Sequence, residues 1–396
     1  MLFSGPRPGN CHLQRFSVPF EYPVIFENRV LEAESSCLAW AIARREPERR
    51  HPFCAVLDEG LLAATPGLDE RVRRYAEVHG EALELRGEPI RVPGGEAAKG
   101  DPALIGALQA AFAAAHLDRQ AVVLAIGGGA ALDAIGYAAS SVHRGLRVVR
   151  MPSTVLSQCD GGVGVKNGVN AFSSKNFLGS FAPPYAVVND RALLGTLPLR
   201  EARAGMAEAV KVALIRDASF FEWLVQHAAE LGEARPEPLF ELVRRAALLH
   251  LEHIASAGDP FELGSARPLD YGHWSAHRLE IASGYELRHG EAVAIGMLLD
   301  ARYAERAGYL DARELARISA LLAALGLPRY HPALSERVDG RLGVLAGLDE
   351  FREHLGGALT VTLLRGVARP FEVNALDERL IEDAVAWLEA EARDGC

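Results

Sequence analysis

The chain has 396 residues, too many for one core and suited to two domains of roughly 150 to 200 residues each. Hydrophobic residues make up 49% and the formal net charge is -10, so nucleic acid and anionic membrane are excluded as main partners, while a local basic pocket for one phosphate stays open. Cys11, Cys37, Cys54, Cys159 and Cys396 are scattered without a CxxC and read as free thiols of a reducing compartment. The opening MLFSGPRPGNCHLQRF lacks the apolar core of a signal peptide, and no apolar run approaches a membrane span, so a cytoplasmic location is expected.

In chain order, short apolar runs alternate with helical stretches: FCAVLDEG, the helix ALIGALQAAFAAAHL, AVVLAIGGG, a helix from Ala131, LRVVRMPST and YAVVND. That alternation predicts a parallel α/β sheet. Beyond TLPLREARAG the texture changes to amphipathic helices such as LFELVRRAALLHLEHIASA and ARELARISALLAALGL, with GALTVTLLRGV as a returning strand or hairpin. The expected organisation is an α/β nucleotide-binding domain over 1–195 and a mainly helical domain over 196–396, with a ligand in the cleft between them.

Gly127, Gly128 and Gly129 follow an apolar strand and precede a helix carrying Asp133. Glycines there let the backbone approach a pyrophosphate beside free helix N–H groups; a tight turn explains them equally. PGGEAAKG adds Glu96 and Lys99, candidates for a ribose hydroxyl or residues of a solvated turn. The loop expected over Met151 to Asn176 sets Asp160, Lys166, Lys175 and Asn176 among glycines, where they can converge on a polyhydroxylated ligand or simply face solvent.

Glu208 in AGMAEAVK, His273 in YGHWSAH and His289 in HGEAVAIGM form a candidate divalent-metal set. Two neutral imidazoles and a carboxylate suit zinc while leaving a position open for a substrate oxygen. Lys211 and His277 follow their metal candidates by three and four residues, so each pair can share a helix face, one member for metal and one for an anionic group. The competing reading is an exposed glutamate and histidines packed beside Trp274.

The ordered set GGG, HRG at 143–145, MPSTVLSQCDGGVGVKNGVN, KN at 175–176, TLPLREARAGMAEAVK, GHWSAH and HGEAVAIGM resembles the 3-dehydroquinate synthase superfamily, the sugar phosphate cyclases, over residues 50–370. RPLDYGHWSAHRLE is also similar to the dehydroquinate-synthase-like cyclase of the Ebo operon. The resemblance implies a carbon-oxygen lyase with a Rossmann-like NAD domain. In this family tightly held NAD oxidises a ring hydroxyl, phosphate is eliminated, the ketone is reduced again, and an aldol step closes the carbocycle. It makes Glu208, His273 and His289 ligands of Zn2+ or Co2+, with the metal lowering the pKa of a bound oxygen. Asp58, Glu96, Lys99, Gly127, Gly128, Gly129, Asp133, Ser153 and Thr154 would hold NAD. Asp160, Lys166 and Lys175 would meet the sugar, and Asn176, Lys211 and His277 its phosphate. Arg144 would reach that phosphate from a neighbouring subunit, so a homodimer is expected.

The departures concern the substrate. Where dehydroquinate synthases hold a substrate carboxylate with cations, this chain has Ala266, with Arg267 shifted by one, and Glu252; Asp270 replaces the usual Asn. Acids facing a carboxylate cost several kcal/mol, whereas Asp270 accepts hydrogen bonds from a hydroxyl. Arg352 and His354, in EFREHLGG, stand where lysines are usual. The expected substrate is therefore a ketose phosphate without a carboxylate, such as sedoheptulose 7-phosphate. The alternatives are the 3-dehydroquinate synthase reaction and, from another class, a metal-dependent polyol dehydrogenase.

Overall fold

The computed structural model describes residues 10–172, 174–256, 268–354 and 359–394. Val24–Glu27 (β1), His51–Asp58 (β2), Leu83–Leu85 (β3), Ile90–Val92 (β4), Val122–Gly127 (β5), Arg147–Pro152 (β6) and, after an intervening hairpin, Ala186–Asp190 (β9) form one sheet. Its order is β1-β9-β6-β5-β2-β3, β4 pairs with β2, and every pairing is parallel. Parallel strands covered on both faces read as continuous apolar runs, and all six residues of β5 are buried. One face packs Leu38, Ile42, Val72 and Tyr75 against Phe53 and Leu124; the other packs Leu108, Phe112, Leu132 and Ile135 against Val123 and Ala125.

From β2 the chain runs outward to β3 and returns on the other side to β5, β6 and β9. The strand order therefore switches between β2 and β5, and a crevice at the carboxyl ends of such strands is where open α/β sheets take ligands. The register sets Gly127 of β5 beside Pro152 of β6, so that Asp58, Gly127 and Ser153 share this edge.

The segment expected to be a polar loop is instead a short helix, Val155–Cys159, a turn, and an antiparallel hairpin of Lys166–Ala171 (β7) with Ser174–Phe181 (β8), broken by a bulge between Val169 and Ala171. Hairpin and nucleotide helix meet closely: a Cβ on Gly136 would stand 1.8 Å from Asn167 Oδ1.

Past β9 the chain is helical. The helices Leu199–Arg216, Pro236–Ser256, His273–Ala282 and His289–Arg306 surround a second core that includes Met206, Phe221, Trp274, Met297 and Leu322. The expected hairpin is present as Val361–Leu364 paired with Pro370–Val373. Among the described residues no helix is long and apolar enough to cross a membrane.

Candidate metal centre and nucleotide edge

Glu208 lies within the 199–216 helix, His273 opens the 273–282 helix and His289 opens the 289–306 helix. Their ligand atoms lie within 4.8 Å of one another, with Glu208 Oε1 3.8 Å from His273 Nε2 and 3.6 Å from His289 Nε2. Tetrahedral bonds of about 2.0–2.1 Å separate ligand atoms by about 3.4 Å, close to these spacings. Neither buried oxygen of Glu208 has a hydrogen bond of sound geometry, although the Lys211 ammonium touches Oε2. Each imidazole is held from behind: His273 Nδ1 lies 3.1 Å from the Tyr271 carbonyl, and His289 Nδ1 lies 3.1 Å from Glu280 Oε2. With Nδ1 turned outward, each ring aims Nε2 at Glu208, the arrangement that outer partners impose on metal-binding histidines. Without a metal, burial opposes charge on His289, but Glu208 and Glu280 overcome it and hold the ring up at about 9, so its Nε2 proton is the one a cation would displace. A buried carboxylate without a hydrogen bond of sound geometry and two inward-facing Nε2 atoms fit a divalent cation.

Charge supports that fit. Burial favours a neutral Glu208, but Lys211 and His289 outweigh it and hold the carboxyl well below the usual range. Burial depresses His273 far below 6.5, and Lys211 and His289 depress it further, so its ring is a neutral donor. Burial likewise opposes charge on Lys211, yet Glu208 and Asp160 dominate and raise it to about 12; Asp270, closing the 268–270 turn, adds to this rise.

Around the cluster, Lys211 Nζ is 3.6 Å from Asp160 Oδ2, and Lys175 Nζ on β8 is 2.9 Å from Glu280 Oε1. Both contacts join the α/β half to the helical half. The His277 ring is exposed, with its centroid 5.5 Å from His273 and 5.8 Å from His289. Lys166, exposed at the start of β7, acts through its charge on His250 of the 236–256 helix.

The nucleotide edge is built mainly from backbone. Gly128 caps the Gly129–Ser141 helix without a side-chain hydrogen bond, leaving first-turn N–H groups for an anion. Asp58 Oδ1 accepts from Gly60 and Leu61, and Oδ2 accepts from Gly128 N at 3.3 Å. A Cβ on Gly127 would lie 2.7 Å from Asp58 Cβ, so the strand end closes only around glycine. Ser153 N donates to the Gly127 carbonyl, while Thr154 forms a capping box with Ser157. These features fit a pyrophosphate-bearing cofactor along the edge.

Other expected residues have definite partners. Lys99 Nζ contacts Asp133 Oδ2 at 2.5 Å and Asn176 Oδ1 at 2.8 Å, while exposed Glu96 accepts from Asn170 at 3.4 Å. The hydrogen bonds of Asn176 thus go to Lys99 and Asn170, on the nucleotide side. Arg144 is exposed beyond the far end of the 13-residue Gly129–Ser141 helix, a helix about 20 Å long, which carries it away from its own chain's nucleotide edge. Glu252 is a correction: it is exposed, and His250, two residues earlier, turns into the site, because residues two apart on a helix point about 200° apart. Ala266 and Arg267 lie outside the described residues.

Sequence reasoning missed three buried polar residues, Glu280, Asp300 and Arg150, and the partly buried His250. Glu280 backs His289. Asp300 accepts from Gly272 N at 3.0 Å and Trp274 Nε1 at 2.8 Å, fixing the turn that presents His273; burial raises its carboxyl to about 7. Arg150 is 1% exposed and donates to the carbonyls of Gly161, Gly162, Gly164 and Lys166 and to Asn167 Oδ1, organising the turn between Asp160 and Lys166. His250 contacts Asp160. Their only signal was a polar residue inside an apolar strand or helix pattern.

Comparison with known proteins agrees with this arrangement. The family model for the 3-dehydroquinate synthase N-terminal region matches residues 89–204 and that for its C-terminal region matches residues 205–343. A 3-dehydroquinate synthase of Halorhodospira halophila (strain DSM 244 / SL1) is 38% identical over 353 residues, covering 85% of this chain and 97% of that protein. The chain belongs to the 3-dehydroquinate synthase family. Within the family it is also similar to a 2-epi-5-epi-valiolone synthase of Streptomyces glaucescens, 38% identical over 283 residues and 71% of each chain. Among solved structures, 2-epi-5-epi-valiolone synthase from Streptomyces hygroscopicus subsp. jinggangensis 5008, with NAD+ and Zn2+ bound, matches with a TM-score of 0.82 and 31% identity, covering 96% of this chain and 100% of that one. The family members are thus sugar phosphate cyclases with an α/β domain and a helical domain, as the sequence motifs implied.

Proposed function

We propose that this protein is a carbon-oxygen lyase that converts a ketose phosphate lacking a carboxylate into a cyclitol ketone with loss of phosphate, using recycled NAD and a divalent metal. The observation that carries this reading is the position of Lys211, whose ammonium contacts Glu208 of the metal cluster and lies 3.6 Å from Asp160. One cation thereby links the metal end to the loop at the nucleotide edge, where a sugar phosphate must present both a hydroxyl and a leaving group. The Zn2+ and NAD+ in the valiolone synthase structure support the same cofactors here, and Co2+ accepts the same ligand set.

Glu208, His273 and His289 would hold the metal, and the Gly127–Gly129 edge with Asp58, Asp133, Ser153 and Thr154 would hold NAD. When bound, the metal supplies a Lewis acid and NAD a hydride acceptor. The chain's own side chains do the rest. Asp160, Lys166, Lys175 and Asp270 orient the sugar hydroxyls, each as a charged hydrogen-bonding group stronger than a neutral one. Lys211 and His277 offset charge on the departing phosphate, and Asn176 reaches the same cleft from its contact with Lys99. Arg144, about one helix length from its own nucleotide edge, would serve the partner's site in a homodimer. We place the division between the two domains at residues 195/196, after the last strand of the sheet.

The absence of a carboxylate on the substrate rests on Asp270, which stands near Lys211, and on the similarity to two valiolone synthases. Glu252 no longer contributes, since it faces solvent. A second reading, 3-dehydroquinate synthase, is favoured by the 38% identity to the Halorhodospira protein. Phosphate release with NAD and zinc, from sedoheptulose 7-phosphate and from the carboxylated heptulosonate phosphate of the shikimate route, separates the two. Release from the first alone is expected, with a cyclised product by mass. Release from the second alone would make the protein a dehydroquinate synthase, and sustained net NADH from a polyol would reject both.

A further inference from the structure

The Asp160 carboxylate is divided between two helices of the helical half. Oδ2 lies 3.6 Å from Lys211 on the 199–216 helix, and Oδ1 lies 3.3 Å from Nδ1 of His250 on the 236–256 helix. The His250 side chain is 13% exposed and that of Asp160 is 30% exposed, so the contact forms an inner wall of the cleft. On the far side of the ring, a Cβ on Gly164 would stand 3.4 Å from Nε2. Gly164 belongs to the turn that Asp160 opens: its N–H donates to the Asp160 carbonyl, and its own carbonyl accepts from Arg150. His250 is therefore wedged between the carboxylate and the backbone of one turn, reaching across from the other half of the molecule.

We propose that His250 is a positioning residue for the candidate active site, holding Asp160 through Nδ1–H and locking the 160–166 turn to the helical half. This rests on the reading that Asp160 faces the substrate. A carboxylate as acceptor requires the proton on Nδ1. Burial lowers the pKa of His250, as do Lys211 and Lys166, against the pull of Asp160; the ring is thus a neutral donor. Bound this way, Asp160 has its rotamer fixed before substrate arrives, so that ordering it costs nothing during binding.

The test uses the full chain with NAD and zinc, measuring phosphate release from both sugar phosphates and the ring 15N spectrum of the histidines. His250→Asn places an amide N–H where Nδ1–H stood; His250→Leu keeps the bulk without the donor. The expectation is a kcat loss of about 10- to 100-fold for His250→Leu with KM changed by less than about threefold, and recovery to within about threefold of wild type for His250→Asn. Equal loss in both variants would reduce His250 to a packing role and overturn the proposal, as would wild-type kinetics in His250→Leu. The spectrum should show a neutral, Nδ1-protonated ring that disappears in His250→Asn and changes tautomer in Asp160→Ala. A wild-type protein inactive on every sugar phosphate would defeat the cyclase reading while leaving the spectrum to decide the His250–Asp160 bond; an Nε2-protonated ring would overturn it.

Discussion

The nucleotide edge and the metal cluster are built by opposite means. At the edge, strand ends, glycines and the uncapped start of a helix present backbone N–H groups, and Asp58 serves mainly to tie those backbones together. At the cluster, side chains from three helices converge, each held by a further buried group: Tyr271 behind His273, Glu280 behind His289 and Lys211 beside Glu208. The contrast teaches that the first site tolerates little added volume, whereas the second tolerates little change in charge.

The largest expected effect is at the cluster. Glu208→Gln or His273→Ala should lower phosphate release by at least about 10³-fold, since Lewis-acid stabilisation amounts to several kcal/mol, and bound metal measured by atomic emission should fall from near one per chain to near zero. Full metal content in either variant would sink the assignment, while NAD affinity should stay within about threefold if the two sites are as separate as their construction suggests.

Asp300 gives a pH test of the scaffold behind His273. Its carboxyl is at about 7 when folded against an ordinary 3.8, so between these values the folded state holds a proton that the unfolded state has lost. Stability must therefore fall as pH rises from about 4 to 7, by up to about 4 kcal/mol, and level off above. Urea unfolding of the metal-free protein should show this slope, and Asp300→Asn should flatten it. Parallel curves for the two proteins would mean that the hydrogen bonds from Gly272 and Trp274 compensate fully for burial.

Gly127→Ala probes the backbone-built edge. The new methyl would lie 2.7 Å from Asp58 Cβ, and overpacking of this kind costs about 1–3 kcal/mol. NAD affinity and Tm should both drop, with metal content unchanged. An unaltered NAD Kd would show that the cofactor does not lie along this edge.

Glu252→Ala should do least. The residue is exposed on its helix, and surface substitutions stay within about 0.5 kcal/mol. A changed preference between the two sugar phosphates would mean that Glu252 reaches the cleft after all.

The parallel sheet was legible because buried strands must be apolar on both faces, and the metal residues were legible because their local sequences are distinctive. The hairpin 166–181 was not: its exposed β8, with Phe177 and Phe181 among lysine, asparagine, glycine and serines, carries no clean alternation. Glu252 was misplaced because counting residues back from His273 passes through a connection whose length does not set helix phase. Arg150 and Asp300 stayed invisible since nothing local marks a buried charge as satisfied.

By itself the sequence determined the element types, the glycine junction at the carboxyl edge and the identities of the candidate ligands, all set by short-range propensity and residue chemistry. Only the tertiary structure decided which side chains meet. Lys99 joins Asp133 to Asn176, Lys175 joins Glu280, and His250 rather than Glu252 faces Asp160. Each pairing depends on the rotation of one packed element against another, and a helix turned by two residues presents its opposite face.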